Sequence, residues 1–177
     1  VDTQYQRARE NESLPRQVLR ALENHALTLP QGSGALVFLP GLRDIERCQA
    51  LLNDANALRR WRIAILHGQL PLESQRAALH RCGPEHDGTV ILASGIAESS
   101  ITIDAVRLVV DSGLSRQLRY DPNTGMEGLE TVPSSLASAE QRRGRAGRQS
   151  VGQCVRLWSP AEQQRRPNFS PPELLLA

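Results

Sequence analysis

The densest chemistry in the chain is the string Gln141-Arg142-Arg143-Gly144-Arg145-Ala146-Gly147-Arg148, four guanidinium groups within eight residues. An idle surface helix would not favour its glycines, each of which costs about 1 kcal/mol relative to alanine. They let the backbone approach another surface while the arginines point at anions. If the string is helical, Gln141, Arg145 and Arg148 share one face at i, i+4, i+7 spacing. One amide and two permanently charged forks on one face suit a polyphosphate. Small hydroxyls and glycines also stand at Gly41, at Ser94-Gly95, and at Ser99, Ser100 and Thr102, with Asp104 close behind. By residue type alone Gly41 reads equally as a strand-ending turn, and the hydroxyls as helix caps.

The chain has 177 residues, and all 21 of its Lys and Arg side chains are arginine. A complete phosphate-binding P-loop needs a lysine, and so do Schiff-base mechanisms, so neither is encoded here. Three cysteines (Cys48, Cys82, Cys154) without CxxC spacing indicate neither a disulfide framework nor a zinc site. His25, His67, His80 and His86 have no metal-ligand spacing, so no metal site is expected. A net charge of +2 is too small to coat nucleic acid by charge alone. With only Tyr5, Phe38, Trp61, Tyr120, Trp158 and Phe169, a base-stacking platform is hardly possible. Any grip on nucleic acid should be on its backbone. The composition is that of one globular core, with no span of membrane length and no signal-peptide pattern at Val1; a reducing, cytoplasmic location is expected.

The elements that must position these residues alternate. Val1, Thr3 and Tyr5 predict a short strand. Ser13 offers an N-cap to a helix with Pro15 in its first turn, and Leu14, Val18, Leu22, Ala26 and Leu29 mark its inner face. Ala35–Leu39 is a buried strand stopped by Pro40-Gly41, and Asp44 opens a helix with Ile45, Cys48, Leu51 and Leu52 inward. A strand at Arg62–Leu66, a helix from Pro71 to His80, and strands at Thr89–Ala93 and Val106–Asp111 follow. Uninterrupted apolar strands separated by helices imply a mostly parallel sheet covered on both faces. Ligands then belong at the carboxyl ends of its strands. Residues 113–133 interrupt the pattern: Leu118–Tyr120 and Met126–Thr131 flank the turn-rich Asp121–Gly125, an inserted β-hairpin. A helix over Ala137–Arg143 and a strand over Gln153–Trp158 complete the domain, 1–160. The Arg- and Pro-rich residues 161–177 read as a linker to further domains.

The eight-residue string resembles motif VI of superfamily 2 helicases, in the QRxGRxGR form of the DEAH-box branch. Phe38-Leu39-Pro40-Gly41 looks like motif IV. Leu66-His67-Gly68-Gln69-Leu70 with Gln75 resembles the segment that follows it, and Ala93–Ile103 with Val109–Gly113 resembles motif V and its sequel. The Pro-Gly of motif IV and Arg-Leu-Trp-Ser after motif VI are similar to the bacterial HrpB-type subgroup. Ser94-Gly95 replaces the usual Thr-Asn of motif V, and Arg143 stands where alanine is usual.

The resemblance implies the second RecA-like lobe of an ATP-dependent RNA helicase: an α/β three-layer sandwich that meets a first RecA-like lobe of the same polypeptide across an ATP cleft. The first lobe would bring the phosphate loop, the DEAH carboxylates and the Mg2+ ligands. From this lobe the resemblance implies arginine fingers at Arg145 and Arg148, a water-orienting Gln141, and contacts to ATP from Ser100, Thr102 and Asp104. It implies contacts to the RNA backbone from Gly41, Ser94 and Gly95, support of the motif by Arg142 and Arg143, and a strand-separating role for the hairpin. The alternative is a non-catalytic, helicase-like RNA-binding adaptor, against which the phosphate-directed Gln141, Arg145 and Arg148 speak. A small-molecule Rossmann enzyme would need a glycine fingerprint, and Gln6–Ser13 holds no glycine.

Overall fold

The computed structural model describes residues 1–98, 103, 105–147 and 151–169. Its centre is a sheet of six strands, β1 (Asp2–Tyr5), β2 (Ser33–Phe38), β3 (Trp61–Leu66), β4 (Gly88–Ala93), β5 (Val106–Asp111) and β8 (Gln153–Arg156). They lie in the order β1-β8-β5-β2-β4-β3, and every pairing is parallel. β2 and β4 are buried at all six of their positions, because side chains of both parities meet a covering layer. Ala35, Val37 and Leu39 face one layer with Val90, Leu92, Leu108 and Val110; Leu36 and Phe38 face the other with Ile91, Ala93 and Val109.

The first layer is built by helices α1 (Leu14–His25) and α2 (Leu42–Asp54). Ser13 caps α1 by accepting from the Arg16 amide, as its position predicts. The helix stops at His25, so Leu29 packs on the same core from the following turn rather than from the helical face. α2 begins at Leu42, two residues before Asp44, and turns Ile45, Cys48 and Leu52 inward while Leu51 is half-buried. The second layer holds α3 (Leu72–Leu79) and α4 (Leu136–Arg143), through Leu79 and the Ala146 that follows α4. This is the three-layer α/β sandwich expected of a RecA-like lobe.

Between β5 and α4 the chain leaves the sheet as a separate antiparallel hairpin, β6 (Leu114–Asp121) and β7 (Met126–Pro133), paired from Leu114↔Pro133 to Asp121↔Met126. It is longer than its sequence signal because both faces are largely solvated, which leaves no apolar alternation to read. The hairpin departs through Gly113, at φ +74°, where a β-carbon would strike the Trp158 ring and the Arg166 guanidinium. β8 ends at Arg156, yet Leu157 and Trp158 stay buried.

The segment expected as linker begins with a helix, α5 (Pro160–Arg165), capped by Ser159. Beyond it the Pro167 and Asn168 carbonyls accept from the Leu136 and Ala137 amides, which fastens this stretch to the start of α4.

Candidate functional site

Parallel register aligns the carboxyl ends of the central strands: Phe38 lies opposite Ala93 and Asp111, and Ala93 opposite Leu66. The loops that leave these ends form a cleft of about 580 Å³ lined by Pro40, Gly41, His67, Gln69, Ser94 and Gly95, with Arg43 and Arg116 at its side. Gly41, Ser94 and Gly95, far apart in sequence, thus share one cleft. Gly41 is the N-cap residue of α2, and Ser94 stands ahead of a 3-10 turn over Gly95–Ala97. Neither cap position carries a side-chain capping bond, so the Ser94 hydroxyl is not spent on its own turn. The aliphatic stem of Arg116, from β6, runs within 3.6 Å of where a Gly41 β-carbon would stand. Arg116 reaches the cleft from the base of β6, a placement that its position in the sequence does not signal.

The arginine-rich string does not continue as a helix. α4 ends at Arg143, and Gly144–Ala146 tighten into a 3-10 turn. The expected single face of Gln141, Arg145 and Arg148 is therefore broken between its first and second members. Glycine at 144 weakens the helix locally, and past its end the Ala146 carbonyl lies so close to Gly152 that a β-carbon on residue 152 would collide with it. Gln141 is exposed on α4. Arg145 is 5% exposed and donates its Nε to the Glu98 carbonyl at 2.7 Å. Ser100, Thr102, Asp104 and Arg148 lie outside the described residues.

Arg142 and Arg143 turn out to be anchors. Arg142 is 1% exposed. Its Nε donates to Glu98 Oε1 at 2.7 Å, one terminal nitrogen donates to Asp111 Oδ1 at 2.8 Å, and the other to Ser115 Oγ at 3.1 Å; both terminal nitrogens also share the Leu114 carbonyl at 3.3 Å. The guanidinium stands 5.1 Å over the Phe38 ring. Although burial opposes its charge most strongly, the Asp111 and Glu98 carboxylates outweigh it and hold the Arg142 pKa above its ordinary value. Arg143 ties the end of α4 to the edge strand, donating Nε to Thr3 Oγ1 at 2.7 Å and a terminal nitrogen to the Val1 carbonyl at 2.9 Å. Glu98 and Asp111 are functional supports that sequence reasoning did not single out. The signal for Asp111 was a carboxylate ending an otherwise apolar strand, a position that requires a buried cation.

Chemically, the ensemble offers one exposed amide, an anchored arginine and a cleft of backbone and hydroxyl groups. These fit half of an anion-recognising site. Among the described residues no group of three or more His, Cys, Asp or Glu side chains could hold a metal ion. Also among the described residues, no helix is long and apolar enough to cross a membrane.

Six parallel strands covered by helices, with an arginine-rich helix end bonded to the residue that follows a carboxyl-edge loop, define a RecA-like lobe. The family model described as "Helicase conserved C-terminal domain" matches residues 17–150, and the chain belongs to that family. It is 36% identical over 163 residues to the probable ATP-dependent RNA helicase DHX34 of Homo sapiens, covering 90% of this chain and 14% of that protein. It is 36% identical over 140 residues to the ATP-dependent RNA helicase HrpA homolog of Haemophilus influenzae, covering 79% of this chain and 10% of that protein. Among solved structures, the E. coli DExH-box NTPase HrpB superposes with a TM-score of 0.89 at 34% identity, over 100% of this chain and 21% of that one. The chain thus spans between 10% and 21% of the length of these relatives. The resemblance to the second lobe of HrpB-type DEAH-box helicases, read from motifs IV to VI, holds over the whole fold.

Proposed function

We propose that this chain is the second motor lobe of an ATP-dependent RNA helicase, and that it works only with a first RecA-like lobe of the same polypeptide. The observation that carries the reading is the gathering of Gly41, Ser94 and Gly95 in one cleft, directly in front of an anchored, arginine-bearing helix end. Glycine backbone and a small hydroxyl suit sugar and phosphate oxygens rather than base edges, in keeping with the shortage of aromatics. Arg43 and Arg116 line the cleft as well, and although Asp44 and Glu98 share that lining, the two guanidinium groups supply cations that phosphate oxygens can pair with.

At the nucleotide, Arg145 and Arg148 act as fingers for the γ-phosphoryl oxygens, where charge builds as the bond to the leaving phosphate breaks. An arginine delivered from across an interface is worth about 10³–10⁵ in rate. Gln141 orients the attacking water. Ser100 and Thr102 contact the phosphates and Asp104 the ribose. ATP bound with Mg2+ bridges the two lobes, and its loss lets them part, so the RNA cleft alternates between two geometries. The relatives named as ATP-dependent RNA helicases support this assignment, as does the anchoring of Arg145 through the residue that follows the cleft loop. The work takes place in the cytoplasm, on single-stranded or structured RNA.

The test is to compare RNA-stimulated ATP turnover of the full-length polypeptide with that of the 177-residue chain. The full-length protein should hydrolyse ATP and the isolated lobe should hydrolyse none. Turnover by the purified lobe alone would overturn the division of the site between two lobes.

A further inference from the structure

Both connections between the hairpin and the lobe are gripped by arginines from other elements. From the α4 side, Arg142 holds the Leu114 carbonyl and Ser115 Oγ. From the other side, Arg166, just past α5, donates one terminal nitrogen to the Gly113 carbonyl at 2.8 Å and to the Ser134 carbonyl at 2.9 Å, while stacking 3.9 Å over Trp158. The two strands are stitched to each other at this level by Ser115 Oγ and Ser134 Oγ, 2.9 Å apart. The outer parts of β6 and β7 are largely solvated, so the direction in which the hairpin points is decided at this base.

The contacts at the base belong to a longer chain. Arg145 Nε bonds the Glu98 carbonyl at 2.7 Å, Glu98 Oε1 accepts from Arg142 Nε at 2.7 Å, Arg142 bonds Ser115 Oγ at 3.1 Å, and Ser115 meets Ser134. Ser138 of α4 also donates to Glu98 Oε2 at 3.2 Å, which fixes the carboxylate from both sides. Four hydrogen bonds therefore run without a gap from Arg145 to both strands of the hairpin. Stability does not account for such a network. Burying a charged cluster of this kind is no better, and often worse, than filling the same space with apolar side chains. What the network supplies is directional connection between elements whose contacting residues are up to 47 positions apart in sequence.

We propose that Arg142 is a positioning residue that couples the Arg145 turn to the hairpin, so that the angle of the hairpin toward an RNA strand follows engagement of the nucleotide by the opposite end of the chain. Arg166 is the fixed counter-anchor about which the base pivots. The proposal rests on the helicase reading above and adds to it the route by which the nucleotide site controls strand separation.

Ser115→Ala in the full-length protein tests it. This change removes the side-chain link from Arg142 to Ser115 and on to Ser134, and leaves the Arg142 bonds to the Leu114 carbonyl and its ion pairs with Glu98 and Asp111 in place, so the lobe keeps its fold. RNA-stimulated ATP turnover should stay within about 2-fold of wild type, while base pairs separated per ATP should fall about 10-fold or more, the worth of one lost charge-assisted hydrogen bond. Ser115→Thr, which restores the hydroxyl on a residue suited to strands, should recover the wild-type ratio. An unchanged ratio in Ser115→Ala overturns the coupling, and so does a parallel loss of turnover and separation, which marks a structural role only. A wild-type protein that hydrolyses no ATP and separates no strands fails at the earlier step, removing the helicase reading and the coupling with it.

Discussion

Arg142→Met replaces the buried guanidinium with an apolar chain of similar length, and its cost follows from what is left behind. Glu98 keeps 16% of its side-chain surface and can turn toward water. Asp111 cannot: its side chain is 0% exposed, and without Arg142 its only remaining donor among the described contacts is the Gly113 amide at 2.8 Å. Removing one partner of a buried pair costs about 3–5 kcal/mol. Total stabilities of about 5–15 kcal/mol make that a large fraction. With a urea dependence of about 2 kcal/mol per molar, the unfolding midpoint of the 177-residue chain should drop by about 1.5–2.5 M. Most of this loss comes from the stranded Asp111 carboxylate. Adding Asp111→Asn, which keeps an acceptor for Gly113 but removes the charge, should therefore recover about 2 kcal/mol. A midpoint shift in Arg142→Met below about 0.5 M would refute the argument, as would a double variant no more stable than the single one.

Two further outcomes follow from the titrating groups. Glu12, paired with Arg20 at 2.6 and 2.7 Å, is held down from 4.5 to about 2, chiefly by that hydrogen bond. Its contribution to stability is complete above pH 4.5 and disappears as pH falls through 2. Thermal unfolding of wild type and Glu12→Gln should accordingly differ most near neutrality and converge at the acid end; a gap independent of pH would contradict the pairing. Burial pushes the Cys48 and Cys154 thiols up to about 12, whereas Cys82 is only half-buried. Alkylation of the folded protein at pH 8 should therefore modify Cys82 alone by mass spectrometry, with all three cysteines reacting in urea.

Much of the lobe was legible because its signals are local. The runs at Ala35–Leu39, Thr89–Ala93 and Val106–Asp111 are apolar on both parities but for Thr89, Arg107 and Asp111, and between helical segments that pattern fits doubly covered parallel strands. Ser13 and Pro15 marked the start of α1 by chemistry confined to one turn. The hairpin was read too short because solvated strands carry no alternating pattern. α5 was read as linker because six residues with a proline and two glutamines resemble an irregular segment until Trp158 and Arg166 are seen to pack beside it. The helix reading ends at Arg143, where α4 does end; past it Gly152 comes close to Ala146 through a tertiary contact that the sequence does not show. The anchoring of Arg142 was hidden for the same reason: its partners Glu98 and Asp111 stand 44 and 31 residues away, a distance that composition and periodicity do not bridge.

The central claim is that this lobe completes an ATP site whose other half lies on a partner lobe. Gln141 tests it most directly, since it is exposed on α4 and alanine there is the better helix former, leaving the fold undisturbed. RNA-stimulated ATP turnover of full-length Gln141→Ala should fall by about 10²-fold or more, the scale of a mispositioned nucleophile, with an unchanged urea midpoint. Turnover equal to wild type would contradict the claim and leave an RNA-binding adaptor as the better description of the lobe.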